Sequence, residues 1–123
     1  MVTVAFWTLA GAVVLGSAAA VLGLLQETVP IRSWPVGAVH GTLAALGFAL
    51  LVLALPGSTR GLQTGTASFG VIAAVLMAVA LLFGLALLAL RLLKRRLPGL
   101  LVGTHATLAI GGFAILIAYL FSG

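Results

Sequence analysis

The chain has two histidines, and both stand in copies of one phrase. Residues 40–51 read HGTLAALGFALL and residues 105–116 read HATLAIGGFAIL, with eight of twelve positions identical. Imidazole nitrogens bind metal ions and carry protons near neutral pH. His40 and His105 are therefore the side chains in this sequence best suited to chemistry, and their duplication indicates that they work as a pair.

Small residues follow each histidine at helical spacing. Alanine comes four residues later and glycine seven residues later, at Ala44, Gly47, Ala109 and Gly112. On a helix these positions share the face of the histidine, because seven residues make nearly two turns. Each copy is thus predicted to present one imidazole above a strip with few side-chain atoms.

The composition points to a membrane and excludes several kinds of site. Hydrophobic residues make up 63% of the 123 residues and charged residues 6%, and the mean hydropathy is +1.39. The absence of cysteine excludes disulfides, thiolate metal sites and iron–sulfur clusters. Glu27 is the single carboxylate side chain, so catalysis by paired carboxylates is excluded.

Four apolar runs, each long enough to cross about 30 Å of hydrocarbon, cover the chain. They span about residues 3–25, 36–55, 67–90 and 100–121 and are separated by short connectors. Because no basic residue precedes the first run, we interpret it as a span and not as a signal peptide. The prediction is a single all-α domain, a four-span transmembrane helix bundle.

The distribution of basic residues predicts the orientation of the bundle across the membrane. The connectors between spans one and two and between spans three and four hold Arg32, Arg91, Lys94, Arg95 and Arg96. The opposite side has Arg60 alone. By the positive-inside rule, these two connectors face the cytoplasm of a bacterial-type plasma membrane and both termini lie outside. The same rule explains the net charge of +5 without nucleic acid as a partner.

The predicted topology places the two copies of the phrase at equivalent positions in the bundle. Spans two and four run in the same direction, so His40 and His105 are expected at equal depth near the cytoplasmic face. Spans one and three align only loosely, through Phe6 with Phe69 and Gly23 near Gly84. We therefore predict two helix pairs in a parallel repeat.

Two histidines limit the cofactors that can be bound. Zinc needs three or four protein ligands, and the chain offers two histidines and Glu27 unless subunits combine. Haem needs only two axial ligands, because the porphyrin supplies four. Two imidazoles at one depth on facing helices would bind one haem b between His40 and His105.

Other residues would serve the same cofactor. The small residues Ala44, Gly47, Ala109 and Gly112 would leave room for the faces of the macrocycle. Arg32 and Arg91, with Lys94 and Arg95 near them, would pair with its propionates. Thr42 and Thr107 bond either to their own helix carbonyls or to a histidine.

In these features the chain resembles the small membrane b-type cytochromes, such as cytochrome b561-like proteins, in which four helices hold haem between histidines. The resemblance rests on His40 and His105 with the glycines seven residues later, and it covers spans two and four. That arrangement usually has two haems and four histidines, whereas this chain has two histidines. The resemblance implies one haem near one face, which exchanges electrons with quinol or with a partner subunit.

Three other interpretations stay open. The histidines and glycines would also suit plain helix packing in a non-catalytic scaffold or accessory subunit of a larger membrane complex. A small multidrug transporter would need a carboxylate in the first span, where residues 3–25 have none. A pigment with a central magnesium would need one imidazole per macrocycle. The expected partners are membrane lipid, quinol, and a larger complex or a second copy, and an electron carrier is favoured over a stand-alone enzyme.

Overall fold

A computed structural model describes residues 1–25 and 34–122. The described chain is helical, with α1 at Val2–Leu25, α2 at Trp34–Ala54, α3 at Ala67–Leu92 and α4 at Gly99–Leu120. Each helix begins and ends within two residues of the predicted span. All four are long and apolar enough to cross a membrane, so the chain is a four-span, all-α bundle.

The ends of α3 and α4 follow from local backbone chemistry. The Arg95 amide donates to the Leu90 carbonyl at 2.9 Å and the Lys94 amide to the Arg91 carbonyl at 3.0 Å. This pair of bonds is a Schellman motif, which requires a left-handed residue after the helix. Lys94 occupies that position with a φ of 53°. Extended backbone at Pro98 then precedes the start of α4.

The four helices form two hairpins that repeat each other. Helix α1 packs along α2, and α3 packs along α4 in the same way. The hairpins contact each other through α1 with α4 and through α2 with α3. If the two hairpins are exchanged, each of these contacts becomes the other. In the described ranges, the diagonal helices α1 and α3, like α2 and α4, have no Cα atoms within 8 Å of each other. The two helix pairs are therefore related by a pseudo-two-fold axis that runs along the bundle.

The buried core lies in the half of the bundle near the α2–α3 loop. Its members are apolar side chains from all four helices, namely Ala5, Phe6, Leu9, Leu51, Ala73, Ala74, Met77, Leu116 and Tyr119. Leu51 and Leu116 are equivalent in the repeat and both are fully buried. The Tyr119 hydroxyl donates to Ser58 Oγ at 2.8 Å, and Arg60 donates to the Leu120 carbonyl. These bonds hold the loop against the end of α4 and close this half.

The other half of the bundle is open. The buried residues of α1 and α3 that lie nearest the connectors are Ala12 and Ala80. Beyond them, none of the helical residues whose burial the structure describes is buried. At 1.5 Å per residue, the ten or so residues that follow Ala12 in α1 cover roughly 15 Å. We call this less buried half of the bundle, between the two hairpins, the connector-side cleft.

Candidate functional site

The two histidines meet at the inner end of the connector-side cleft. Each is the seventh residue of its helix, α2 or α4, and each is half-buried. Their ring centroids lie 6.0 Å apart and their planes are at 86°. The structure therefore places His40 and His105 together at the bundle axis, although 65 residues separate them in sequence.

Each imidazole is tethered within its own hairpin. His40 Nδ1 lies 2.7 Å from the Ala12 carbonyl oxygen, and His105 Nδ1 lies 2.8 Å from that of Ala80. A carbonyl oxygen can only accept, so the hydrogen bond assigns the proton of each neutral ring to Nδ1. Nε2 then keeps its lone pair, and neither Nε2 has a hydrogen-bond partner among the described residues.

A glycine one turn beyond each carbonyl makes room for the ring. A Cβ on Gly16 would lie 2.8 Å from Cε1 of His40, and a Cβ on Gly84 would lie 3.1 Å from Cε1 of His105. Any side chain at these two positions would press on an imidazole that its hydrogen bond already fixes. Gly16 and Gly84 are thus part of the site.

The two carbonyls and these glycines were not among the site residues predicted from the sequence. Their signal is Ala-x-x-x-Gly, present at residues 12–16 and again at 80–84. The separation from tethering alanine to histidine is 28 residues in the first hairpin and 25 in the second. Because the connectors differ in length, a single sequence offset cannot align α1 with α3 and α2 with α4 at the same time. The structure pairs Gly84 with Gly16, where the sequence alignment set it near Gly23.

Gly47 and Gly112 face the preceding helix of their own hairpin. A Cβ on Gly47 would lie 2.7 Å from Cγ of Leu9, and a Cβ on Gly112 would lie 3.1 Å from Cγ of Met77. The space that we expected to receive the faces of a macrocycle is filled there by side chains. In this structure Gly47 and Gly112 allow close packing of the two helices in each hairpin, as the alternative interpretation of the sequence expects.

The residues that closely follow each histidine lie on its core side, away from the open end of the cleft. Ala44 and Ala109, four residues after the histidines, are half-buried. Thr42 donates its hydroxyl to the Ala38 carbonyl at 2.9 Å, so it bonds to its own helix. Its counterpart Thr107 is exposed on the outer surface of α4.

One arginine lies at the open end of the cleft. Arg91 Nη1 is 3.7 Å from the position that a Cβ on Gly37 would take. Gly37 is one helical turn before His40, so the guanidinium of α3 reaches across to the helix that carries His40. Lys94, Arg95 and Arg96 follow as exposed cations. Arg32 and Glu27 lie outside the described residues.

The spacing of the two rings is close to that of two imidazoles on opposite sides of one metal ion. A metal–imidazole bond is about 2 Å, so imidazoles that bind one ion from opposite sides have centroids about 6 Å apart. Backbone hydrogen bonds at Nδ1 are the usual outer support for a histidine ligand. In the described part of the chain, no group of three or more His, Cys, Asp or Glu side chains could hold a metal ion. Any metal at this pair would therefore need its other ligands from elsewhere, as a porphyrin supplies them.

Comparison with models of known protein families, with curated proteins and with solved structures finds no match.

Proposed function

We propose that the protein is a membrane b-type cytochrome, or an electron-transfer subunit of that kind, which binds one haem b between His40 and His105. The observation that carries the proposal is the pair of imidazoles 6.0 Å apart, each with Nδ1 bonded to a helix carbonyl. His40 and His105 would supply the two nitrogen ligands that the haem iron needs from the protein, through Nε2 atoms that have no hydrogen-bond partner among the described residues.

The cleft supports a cofactor of this shape. It lies between two hairpins and is open on the connector side of the histidines, where the described helices bury no residue. Ala44 and Ala109 contribute small side chains beside the rings. Gly47 and Gly112 are not part of this proposal, since Leu9 and Met77 occupy the space over them.

Charge at the open end supports the placement of the propionates. Arg91 reaches over Gly37, and a guanidinium forms strong bonds with carboxylates. Arg32 belongs to the same connector side by sequence. The macrocycle would therefore stand with its propionates toward the connectors and its apolar edge toward the buried core.

When bound, haem supplies one-electron chemistry, and the protein's own residues set its environment. The Ala12 and Ala80 carbonyls fix the tautomer of each imidazole, with the proton on Nδ1. The apolar helices exclude water from the site. A single haem near one face of the membrane favours electron exchange on that side, with quinol or with a partner subunit of a larger membrane complex. A second copy of the chain is another candidate partner.

We further propose that the protein lies in a bacterial-type plasma membrane with its basic connectors in the cytoplasm. The support is the charge bias: Arg91, Lys94, Arg95 and Arg96 lie at one end of the bundle and Arg60 at the other. This orientation puts both termini outside and the histidines nearer the cytoplasmic face.

A second candidate is a non-catalytic membrane scaffold. The observation in its favour is that each histidine bonds within its own hairpin, so the rings would also serve as ties between consecutive helices. A scaffold of this kind needs no cofactor.

The absorption spectrum of the purified protein separates the two candidates. After expression with ample haem, the cytochrome proposal predicts a Soret band, an α-band on reduction with dithionite, and one haem per chain. A colourless protein that still inserts and folds would reject the cytochrome and leave the scaffold.

A further inference from the structure

The turn between α3 and α4 has three consecutive cationic side chains. Lys94, Arg95 and Arg96 are all exposed, and no side-chain hydrogen bond or ion pair joins them to another described residue. The whole chain has six basic side chains and one acidic side chain, so it cannot neutralise this cluster by itself. Anions from outside the chain must therefore balance most of the charge of the turn.

The turn lies at the level of the lipid headgroups. Helix α3 has 26 residues, which span about 39 Å at 1.5 Å per residue, whereas the hydrocarbon of a bilayer is roughly 30 Å thick. The side chains that flank the cations are apolar and open to the surroundings, with Leu93 69% exposed and Leu100 85% exposed. Leucines in this position enter the acyl-chain region while the cations reach the phosphates.

The turn also offers backbone donors. The amides of Arg96 and Leu97 form no hydrogen bond within the described part of the chain. Phosphate oxygens accept hydrogen bonds from guanidinium, ammonium and amide groups alike. The turn is thus suited to a phosphate group at the membrane surface.

A groove begins beside this turn and runs along the exposed side of α4. It has a volume of about 450 Å³ and is lined mainly by apolar atoms, from Gly99, Leu100, Gly103, Thr104, Thr107 and Leu108. Gly99 is three residues after Arg96, at most about 11 Å away along an extended chain. The internal repeat has Trp34 in place of Gly99, so α2 does not reproduce the small residue at this end. Cations at the membrane surface and an apolar groove that continues into the hydrocarbon match the headgroup and the acyl chain of one phospholipid.

We infer that this surface binds an anionic phospholipid, whose phosphate contacts Lys94, Arg95 and Arg96 and whose acyl chain lies in the groove of α4. We call the three cations and the groove the lipid site. Charge complementarity favours a headgroup with net negative charge, such as that of phosphatidylglycerol, over zwitterionic phosphatidylcholine. The lipid site is on the outside of the bundle and does not depend on haem.

Spin-labelled lipids test the headgroup. In phosphatidylcholine vesicles without haem, electron paramagnetic resonance measures how much chain-labelled lipid is immobilised by the protein. Labelled phosphatidylglycerol should be favoured about tenfold over labelled phosphatidylcholine, and Arg95→Gln with Arg96→Gln should reduce this preference about fivefold. Arg95→Lys with Arg96→Lys is the matched control, which keeps the charge and should keep the preference. Equal association of the two lipids with the unaltered protein, or an unchanged preference in the glutamine variant, would overturn the lipid site.

Obstruction of the groove separates a bound lipid from a diffuse attraction of charge. Gly103→Leu fills the groove at a position where a Cβ meets no atom within 4 Å, and Ala38→Leu adds the same side chain at the equivalent exposed position of α2. Gly103→Leu should lower the association of phosphatidylglycerol about fivefold through lost apolar contact, and Ala38→Leu should leave it unchanged. Equal association in these two variants would overturn the lipid site.

Inorganic phosphate separates a lipid headgroup from a free anion. Sodium phosphate should displace no more labelled phosphatidylglycerol than sodium chloride does at the same ionic strength, because free phosphate has no chain for the groove. Selective displacement by phosphate would show a site for the free anion and would overturn the assignment of a lipid.

Discussion

His40 and His105 lie with perpendicular rings 6.0 Å apart, and among the described residues neither ring has a hydrogen bond to the other's hairpin. Each is fixed by a carbonyl of the helix that precedes its own, at Ala12 and at Ala80. The pair is therefore assembled from two equivalent half-sites that meet at the pseudo-two-fold axis. Removal of either half should leave the other in place.

Replacement of either histidine tests the half-site arrangement. His40→Ala and His105→Ala should each abolish haem retention, because each removes one of the two iron ligands that this chain supplies. The bundle should still insert, since its buried core lies in the other half. Arg91→Ala should lower haem affinity by no more than about tenfold, because it removes one charge-assisted contact. Haem content and circular dichroism measure both effects, and full haem retention by either alanine variant would contradict the assignment of that ligand.

Gly16 and Gly84 provide a test of ring position. Gly16→Ala should weaken haem binding about tenfold, because overpacking against a fixed group costs about 1–3 kcal/mol. Gly84→Ala should have a smaller effect, since its Cβ would lie 3.1 Å from the imidazole instead of 2.8 Å. Gly23→Ala is the matched control on α1, where a Cβ meets nothing within 4 Å. Equal haem affinity in all three variants would show that these glycines do not shape the site.

Gly47 and Gly112 should affect stability and not haem content. Gly47→Ala forces a Cβ against Leu9, whose backbone nitrogen is 3.1 Å away, and Gly112→Ala forces one against Met77. Each should lower the free energy of unfolding by about 1–3 kcal/mol, as overpacking does. The control is Gly111→Ala, whose Cβ has open space. A loss of haem per folded chain in Gly47→Ala, with unchanged thermal unfolding, would return these glycines to the cofactor site.

The sequence predicted the number of helices, their limits and the duplication of α2 and α4, because apolar length and an identical phrase are local signals. The tethers to Ala12 and Ala80 were not predictable in the same way. They use backbone oxygens, which carry no residue signature, and the shorter second connector hides the repeat of α1 in α3. The sequence left two roles open for Gly47, helix packing or room for a cofactor, and only the packing shows that Leu9 lies above it.

Lys94 provides a test of the turn after α3. Its φ of 53° costs a residue with a side chain roughly 1–2 kcal/mol, and glycine avoids that cost. Lys94→Gly should therefore raise the free energy of unfolding by about 1 kcal/mol. Lys94→Ala removes the same charge but keeps the cost of the backbone conformation, so it should give no such gain. Thermal unfolding in a neutral detergent measures both, and equal stability of the two variants would contradict the Schellman geometry.

The electron paramagnetic resonance spectrum of the ferric protein loaded with haem tests the central claim most directly. Two imidazoles held at 86° by their carbonyl tethers should give a low-spin signal with the high anisotropy of perpendicular axial ligands. The spectrum should account for one haem per chain and should be lost in both His40→Ala and His105→Ala. A high-spin signal in the unaltered protein, or a low-spin signal that survives either substitution, would contradict ligation of one iron by this pair.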